Sequence, residues 1–259
     1  MKINYDQSLG WKSQDHKQFF DVWNLMSKSQ FNYLFSSFEE NKYLVDCLKK
    51  DKINSILDYG CASGYLKRYL TLIGKKKIEY NGYDISEISI NHAKKNYGEN
   101  IFFSKVSELK KNKYDLVYSR DTVLHQEDPW KFIDNLVEKT KKKLILRLRT
   151  RDYGETQMDS NISCQLIPGE HWVPYMILNY NEFLDKLKKI GFNHIRINRS
   201  YTNLGGQNNR YLEKSLYLRK TGTSETSVLA SFENEQSGSN VLETFNLEGH
   251  NYFKTKKYL

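Results

Sequence analysis

A small-residue loop preceded by one acid and followed by a second acid is the part of this chain best suited to binding a ligand. An apolar, strand-like run ends in Asp58 and leads into Gly60, Ala62 and Gly64. These residues carry small side chains or none, so a ligand can approach the backbone closely. Asp84 ends the next strand-like run, where a carboxylate can accept hydrogen bonds from both hydroxyls of a ribose. The combination predicts a bound, adenosine-containing ligand.

The spacing of the glycines indicates which adenosine-containing ligand this loop binds. A dinucleotide site has Gly-x-Gly-x-x-Gly, whose last glycine packs beside the pyrophosphate, whereas this loop has Gly60-x-Ala62-x-Gly64 followed by Tyr65. The acid Asp58 is poorly suited to a pyrophosphate but tolerates a cationic or amino-bearing ligand. The loop resembles the Asp-x-Gly-x-Gly-x-Gly loop of the class I S-adenosylmethionine-dependent methyltransferases, with Ala62 in place of the middle glycine.

The resemblance implies S-adenosylmethionine as the cofactor. It implies that the loop amides lie near the methionine and ribose portions, and that Asp58 orders the loop or meets the cofactor ammonium through water. Asp84 would hold the ribose, and Ile85 would pack on the adenine. The acid that usually meets the adenine amino group is missing after the third predicted strand, so backbone contacts at Val106 or the Ser107 hydroxyl would replace it. The expected cofactor-binding residues are Asp58, Gly60, Ala62, Gly64, Asp84, Ile85, Val106, Ser107 and Arg120.

The first candidate base follows the fourth predicted strand. Residues 114–130 resemble the family segment in which an Asp-Leu-Val strand leads to a histidine shortly before Asp-Pro. His125 would lie at the carboxyl end of a central strand, where open α/β sheets bind ligands. A neutral imidazole there can remove a proton from a hydroxyl or an amine, or His125 is a buried residue that orders its loop. Arg120 and Asp121 would face the same crevice, and Arg120 contacts the cofactor in several relatives.

Three arginines alternate along the fifth predicted strand. Arg147, Arg149 and Arg151 share one face of that strand, where a guanidinium is costly to bury unless an anion pairs with it. The protein candidates for that anion are Asp121, Asp152 and Glu155. We expect a protein partner for Arg147 and a substrate partner for Arg149 or Arg151, which would favour a phosphorylated, nucleotide-linked or acidic acceptor.

A long irregular insert, residues 150–178, interrupts the alternation of strands and helices. Such a segment inside a compact domain is usually functional. His171 is a second candidate base there, and Trp172 and Tyr175 are candidates for the acceptor pocket. The expected substrate-binding residues are Asp121, Arg149, Arg151, Trp172 and Tyr175.

The elements that must position these residues alternate between strand and helix from residue 54 onward, which predicts a parallel sheet with crossover helices. We expect a Rossmann-like α/β fold with a seven-stranded, mostly parallel sheet and an antiparallel closing hairpin from strands at 193–199 and 214–220. The predicted organisation is a helical cap or lid over residues 1–53, a methyltransferase domain over 54–220 that contains the insert, and a linker and C-terminal extension over 221–259.

Composition limits the partners. The formal net charge of +9 suggests an anionic partner, but lysine runs such as residues 139–143 are typical of solvated helix ends. Three cysteines without paired spacing predict neither a disulfide framework nor a metal site. Without an apolar leader or a membrane-length run, we expect a cytoplasmic protein, monomeric or homodimeric, with no membrane partner.

The sequence therefore predicts an S-adenosylmethionine-dependent O- or N-methyltransferase of a small metabolite, with a sugar, a phosphorylated compound or a polysaccharide precursor as acceptor. No cysteine lies where a covalent carbon-methylation mechanism would need it. Methylation of tRNA or rRNA is a second hypothesis, which would require the lysines to converge on the active-site mouth. A non-catalytic scaffold that retains the fold is a third hypothesis, and a dehydrogenase is a fourth.

Overall fold

The computed structural model describes residues 10–12, 23, 25–75, 77–160, 163–167, 171–201, 210–212, 222–232 and 240–246. The helices are α1 (Lys28–Ser37), α2 (Glu39–Lys50), α3 (Tyr65–Leu72), α4 (Glu87–Tyr97), α5 (Pro129–Glu138) and α6 (Tyr180–Ile190). The strands are β1 (Ser55–Tyr59), β2 (Glu79–Tyr83), β3 (Phe102–Phe103), β4 (Tyr114–Arg120), β5 (Thr140–Arg151), β6 (Ser163–Ile167), β7 (His171–Pro174), β8 (Leu178–Asn179), β9 (His194–Ser200), β10 (Arg210–Leu212), β11 (Ser224–Ser231) and β12 (Asn240–Asn246).

The main sheet confirms the predicted Rossmann-like class. Its strands lie in the order β12-β9-β11-β5-β4-β1-β2-β3, and β8 pairs with β5. The β11 strand runs antiparallel to both β5 and β9, while the other described pairs of this sheet are parallel. Of the nine strands of this sheet, β8, β11 and β12 lie outside the seven predicted ranges. A separate small sheet has the order β10-β6-β7 and arises within the irregular insert and the residues that follow β9.

Helices cover both faces of the sheet, as the continuous apolar runs of its central strands require. On one face, Ile145 belongs to a core with Phe31 of α1 and Leu44 of α2. On the other face, Leu146 packs in a core that includes Phe183 of α6. None of the helices in the described ranges is long and apolar enough to cross a bilayer.

Local sequence signals set the helix ends. The Ser27 hydroxyl accepts the Gln30 amide and the Gln30 side chain accepts the Ser27 amide, which forms a capping box at the start of α1. The Asn179 side chain caps α6, which ends at Gly191 in the left-handed region. The apolar period predicts a helix over residues 180–190, and these capping signals explain why α6 has those bounds.

The predicted linker from residue 221 is wrong for residues 224–231, which form β11 inside the sheet. The polar residues of this segment suggested a linker, but they have hydrogen-bond partners in the protein interior. The Thr226 hydroxyl bonds that of Thr150 at 2.7 Å, and the Ser227 hydroxyl donates to Glu40 at 2.9 Å. The strand predicted at 214–220 lies outside the described residues.

A buried charge fastens the predicted helical cap to the sheet. Glu40 of α2 is 1% exposed, and its Oε1 lies 3.2 Å from Arg120 Nε and 3.5 Å from Arg147 Nη1. Its other oxygen accepts from Ser227. The next residue, Asn41, accepts a hydrogen bond from the Tyr118 hydroxyl at 2.7 Å. The start of α2 is therefore tied to β4, β5 and β11 by polar contacts that replace the water each group has lost.

Glu40→Gln tests this attachment. The amide removes a buried charge from Arg120 and Arg147, which then keep only Asp121 and Glu225 as anionic partners among the described residues, so we expect the free energy of unfolding to fall by about 3 kcal/mol. Urea unfolding measures it. Glu39→Gln is the matched control, because Glu39 makes an exposed salt bridge with Lys42 and its loss should cost less than about 1 kcal/mol. Equal effects of the two changes would contradict the role given to Glu40.

Candidate functional site

The loop after β1 folds back over the end of β2. Gly60, Ala62 and Gly64 have φ angles of +86°, +47° and +92°, in the left-handed region that glycine tolerates best. The amides of Gly60 and Cys61 both donate to the Tyr83 carbonyl, at 2.7 and 2.9 Å. The small side chain of Ala62 explains why the loop keeps its shape without the middle glycine.

Asp84 orders this loop from the end of β2. Its carboxylate is buried and accepts the Ala62 amide at 2.8 Å on one oxygen and the Ser86 amide at 2.9 Å on the other. The structure thus brings together the two acids and the small-residue loop that the sequence singled out. A carboxylate can accept about four hydrogen bonds, so these contacts are compatible with the ribose role, which stays a prediction.

Asp58 lies beneath the loop and is 3% exposed. Burial raises the pKa of Asp58 to about 7, the Tyr80 hydroxyl that donates to it at 2.6 Å opposes that rise, and the charge of Asp84 adds to it. Near neutral pH the Asp58 carboxyl is therefore poised between its two protonation states.

The end of β4 packs directly on the loop. A Cβ at Gly60 would lie 2.1 Å from Thr122 Cγ2, so no side chain fits there. The Ser119 hydroxyl donates to the Tyr59 carbonyl at 2.9 Å, which joins β4 to β1 at the same level. The segments that follow β1, β2 and β4 thus form one crevice at the carboxyl edge of the sheet, where open α/β sheets bind ligands.

Ser63 is a candidate that sequence reasoning missed. The residue is 7% exposed, and its hydroxyl has no hydrogen-bond partner among the described residues. Buried polar atoms are nearly always satisfied, so this hydroxyl fits a polar ligand atom. The sequence signal that could have identified Ser63 is a hydroxyl-bearing residue inside the small-residue loop.

Apolar side chains flank the crevice at the ends of β2 and β3. Ile85 is 40% exposed and Val106 is 36% exposed. The Asp84 amide donates to the Phe103 carbonyl, so the two strand ends lie side by side. Ser107 is exposed in the short 3-10 turn Val106–Glu108. The contacts with adenine predicted for Ile85, Val106 and Ser107 stay predictions.

A network of arginines and carboxylates fills the crevice beyond β4. Asp121 has a φ of +56°, and its Oδ1 lies 3.5 Å from Arg147 Nε and 3.3 Å from Arg149 Nη1. Its other oxygen lies 3.6 Å from Arg120 Nε. Burial alone would raise the pKa of Asp121, but the three guanidinium groups outweigh it and lower that pKa to about 2. Asp121 is therefore an ionised carboxylate over the whole physiological pH range.

The arginines of β5 all have partners within the chain. Glu225 of β11 lies 2.6 Å from Arg147 Nη2 and 3.1 Å from Arg149 Nη2. Arg151 donates to the carbonyls of Tyr153 and Glu155. Arg149 thus has an intramolecular anion in Glu225, which no local sequence pattern indicated, and Arg151 is satisfied by backbone carbonyls. Their role in acceptor binding stays a prediction.

His125 lies in the 3-10 turn Val123–His125 and is half-buried. Its Nδ1 is 2.8 Å from the Pro174 carbonyl, and its ring centroid is 4.7 Å from that of Trp11. Tyr175 is fully buried, and its hydroxyl accepts a hydrogen bond from Arg149 Nε at 2.9 Å. The structure thus brings His125 and Tyr175 together, at a ring separation of 6.1 Å.

The structure says less about two predicted site residues of the insert, His171 and Trp172. The backbone of His171 begins β7, but its side chain lies outside the described part of the chain. Trp172 is partly buried on the same strand. Their roles as base and acceptor contact stay predictions. In the described part of the chain, no group of three or more His, Cys, Asp or Glu side chains is arranged to hold a metal ion.

The profile of the family described as "Methyltransferase domain" matches residues 29–196, which is more than half of the chain. The chain belongs to this methyltransferase family. The match spans α1 to the middle of β9 and includes the crevice and all its predicted cofactor-binding residues. The class predicted from the loop, an S-adenosylmethionine-dependent methyltransferase of class I, is confirmed.

Solved structures share the fold of this methyltransferase chain. The magnesium protoporphyrin IX methyltransferase of Synechocystis PCC 6803 with bound S-adenosylmethionine is 16% identical, with a TM-score of 0.51 over 89% of this chain and 99% of that one. The N-terminal domain of EvdMO1 with S-adenosylhomocysteine bound is 12% identical, with a TM-score of 0.51 over 77% and 83% of the two chains. At these identities the likeness concerns the fold. No curated protein sequence matches the chain.

Gly60→Ala tests the close approach of β4 to the loop. The new Cβ would collide with Thr122, and an alanine at a φ of +86° is strained as well. Gly74→Ala is the matched control, because Gly74 has a φ of +74° and nothing within 4 Å of a Cβ. We expect Gly74→Ala to cost about 1 kcal/mol of unfolding free energy and Gly60→Ala clearly more, measured by urea unfolding. Similar losses would show that Thr122 does not restrict the loop.

The pH dependence of stability tests the environment of Asp58. Its pKa of about 7 in the folded chain lies above the unfolded value of about 4, so the folded state binds an extra proton between these values. The stability that Asp58 contributes is complete below about pH 4 and is lost as the pH rises through about 7. The unfolding free energy of the wild type minus that of Asp58→Asn should therefore fall from pH 5 to pH 8. A flat difference would contradict the raised pKa.

Proposed function

We propose that this chain transfers the methyl group of S-adenosylmethionine to an oxygen or nitrogen atom of a small metabolite. The observation that carries the proposal is the contact between Asp84 and the Ala62 amide, which joins the acid of β2 to the small-residue loop of β1. A carboxylate that can accept hydrogen bonds from a ribose and a loop whose backbone a ligand can approach closely thereby lie in one crevice. Neither feature alone would indicate a site for S-adenosylmethionine.

The crevice residues suit the cofactor. Ser63 offers a buried hydroxyl that lacks a partner in the described structure. Asp84 would hold the ribose, and the exposed apolar side chains of Ile85 and Val106 would cover the adenine. Asp58 would become fully ionised beside a cationic ligand. S-adenosylmethionine, when bound, supplies an electrophilic methyl group on a sulfonium.

His125 is the proposed general base. A carbonyl oxygen only accepts, so the contact with Pro174 requires the proton on Nδ1, and the neutral imidazole then carries its lone pair on Nε2. That nitrogen can take a proton from a hydroxyl or an ammonium group of the acceptor. Asp121 is a poor base by comparison, because its arginine neighbours hold its pKa at about 2. It would serve as an ionised hydrogen-bond acceptor instead.

The charge arrangement favours a small acceptor over a nucleic acid. Exposed lysines precede the parallel strands β1, β2 and β4, and further lysines stand at the start of β5, so they lie at the amino edge of the sheet, opposite the crevice. The contact of Lys142 Nζ with the Lys52 carbonyl at 3.0 Å shows that these runs meet there. A nucleic acid held by them would not reach the crevice.

The crevice itself suits an acceptor with several hydroxyl groups. The most exposed charge of the arginine network is the Asp121 carboxylate, with 35% of the side chain exposed against 8% for Arg147 and 4% for Arg149. A sugar or polysaccharide precursor can donate hydroxyls to that carboxylate. The contacts of Arg149 and Arg151 within the chain give no support to a phosphorylated acceptor.

Calorimetric titration with S-adenosylmethionine and S-adenosylhomocysteine tests the cofactor, with NAD as the control ligand. We expect Asp84→Asn to weaken both adenosyl ligands by about 100-fold or more, because two hydrogen bonds to a carboxylate are lost. Asp134→Asn, the same change at an exposed salt bridge of α5, should leave binding unchanged.

The analogue of S-adenosylhomocysteine without its ribose hydroxyls separates ribose binding from loop ordering. The wild type should bind this analogue much more weakly than the parent ligand, while Asp84→Asn should bind the two alike. If Asp84→Asn still prefers the parent ligand strongly, the ribose role is wrong. Binding of NAD alone would favour a dehydrogenase, and binding of none of the ligands would favour a non-catalytic scaffold.

A further inference from the structure

The last part of the insert is attached to the turn that carries His125. We define the β7 segment as residues 171–176. The Met176 amide donates to the Leu124 carbonyl at 2.6 Å, and the Pro174 carbonyl faces His125 Nδ1 at 2.8 Å. Residues 174 and 176 of the β7 segment therefore form hydrogen bonds with residues 125 and 124 of the turn.

Tyr175 lies between these two contacts and is 0% exposed. Its amide donates to the Ser163 carbonyl at 3.0 Å, and its own carbonyl accepts the Ser163 hydroxyl. Its ring meets the His125 ring edge-on. Because the Tyr175 side chain has no exposed surface, it cannot contact the methyl acceptor directly. Its contact with the His125 ring therefore indicates a different role.

The Tyr175 hydroxyl connects the β7 segment to the rigid part of the sheet. It accepts a hydrogen bond from Arg149 Nε, and the same guanidinium is held by Asp121 at 3.3 Å and Glu225 at 3.1 Å. Arg149 is 4% exposed and stands on β5, next to β4. The position of Tyr175, and with it that of the adjacent Pro174 carbonyl, is thus fixed from the centre of the sheet.

We propose that Tyr175 is a positioning residue that holds the Pro174 carbonyl against His125 and so keeps the imidazole in the tautomer with its proton on Nδ1. This inference rests on the proposed function, in which His125 is the base. A neutral imidazole in solution exchanges between two tautomers, only one of which has its lone pair on Nε2. The carbonyl selects that tautomer and fixes the plane of the ring.

Nitrogen-15 NMR of the histidine-labelled chain at alkaline pH tests the proposal without any acceptor. The chain has six histidines, and the His125 signals are those that disappear in His125→Gln. In the wild type we expect a protonated Nδ1 and an unprotonated Nε2. Tyr175→Phe removes the acceptor of Arg149, so His125 should lose this single tautomer and show a mixture. Tyr33→Phe, at a side chain 81% exposed on α1, is the matched control and should leave the spectrum unchanged.

Two results would overturn the proposal: an unprotonated Nδ1 in the wild type, or the wild-type tautomer in a folded Tyr175→Phe chain. If Tyr175→Phe fails to fold, Ser163→Ala is the second variant, because it loosens the same segment without touching Arg149. The tautomer is measured without cofactor. The proposal can therefore fail while S-adenosylmethionine still binds, and the cofactor assignment can fail while the tautomer behaves as expected.

Discussion

The buried pairing of three arginines with three carboxylates holds the site together. Arg120, Arg147 and Arg149 meet Glu40, Asp121 and Glu225 at the carboxyl edge of the central strands. Charges removed from water are tolerated only when each finds its partner with good geometry. Because the carboxylates come from α2, the turn after β4 and β11, three separate parts of the chain must be in place together.

This pairing links the fold to the chemistry. Glu40 attaches the start of α2 to β4, β5 and β11, and Glu225 fixes β11 against β5. Asp121 is held ionised, with a backbone conformation that few non-glycine residues adopt. Arg149 extends the network to Tyr175 and so to the turn that carries His125. The proposed base and the proposed cofactor loop are thereby positioned by the same strands, and methyl transfer depends on such alignment.

The parts of the structure that the sequence predicted are those set by local patterns. The loop of residues 58–64 and its relation to Asp84 follow from small residues and strand ends, and α6 follows from its apolar period and caps. The strand β11 could not be predicted because its polar residues are satisfied by distant partners, such as Thr226 by Thr150. The contact of Arg149 with Glu225 was missed for the same reason, since Glu225 lies far away in sequence.

A crystal structure of the chain with S-adenosylhomocysteine would show whether the crevice holds the cofactor as proposed. We predict that the ligand lies in the crevice, with its ribose hydroxyls on the Asp84 carboxylate and its amino acid portion along the Gly60–Gly64 loop. A ligand bound elsewhere, or one in the crevice whose ribose does not contact Asp84, would contradict the assignment of the site.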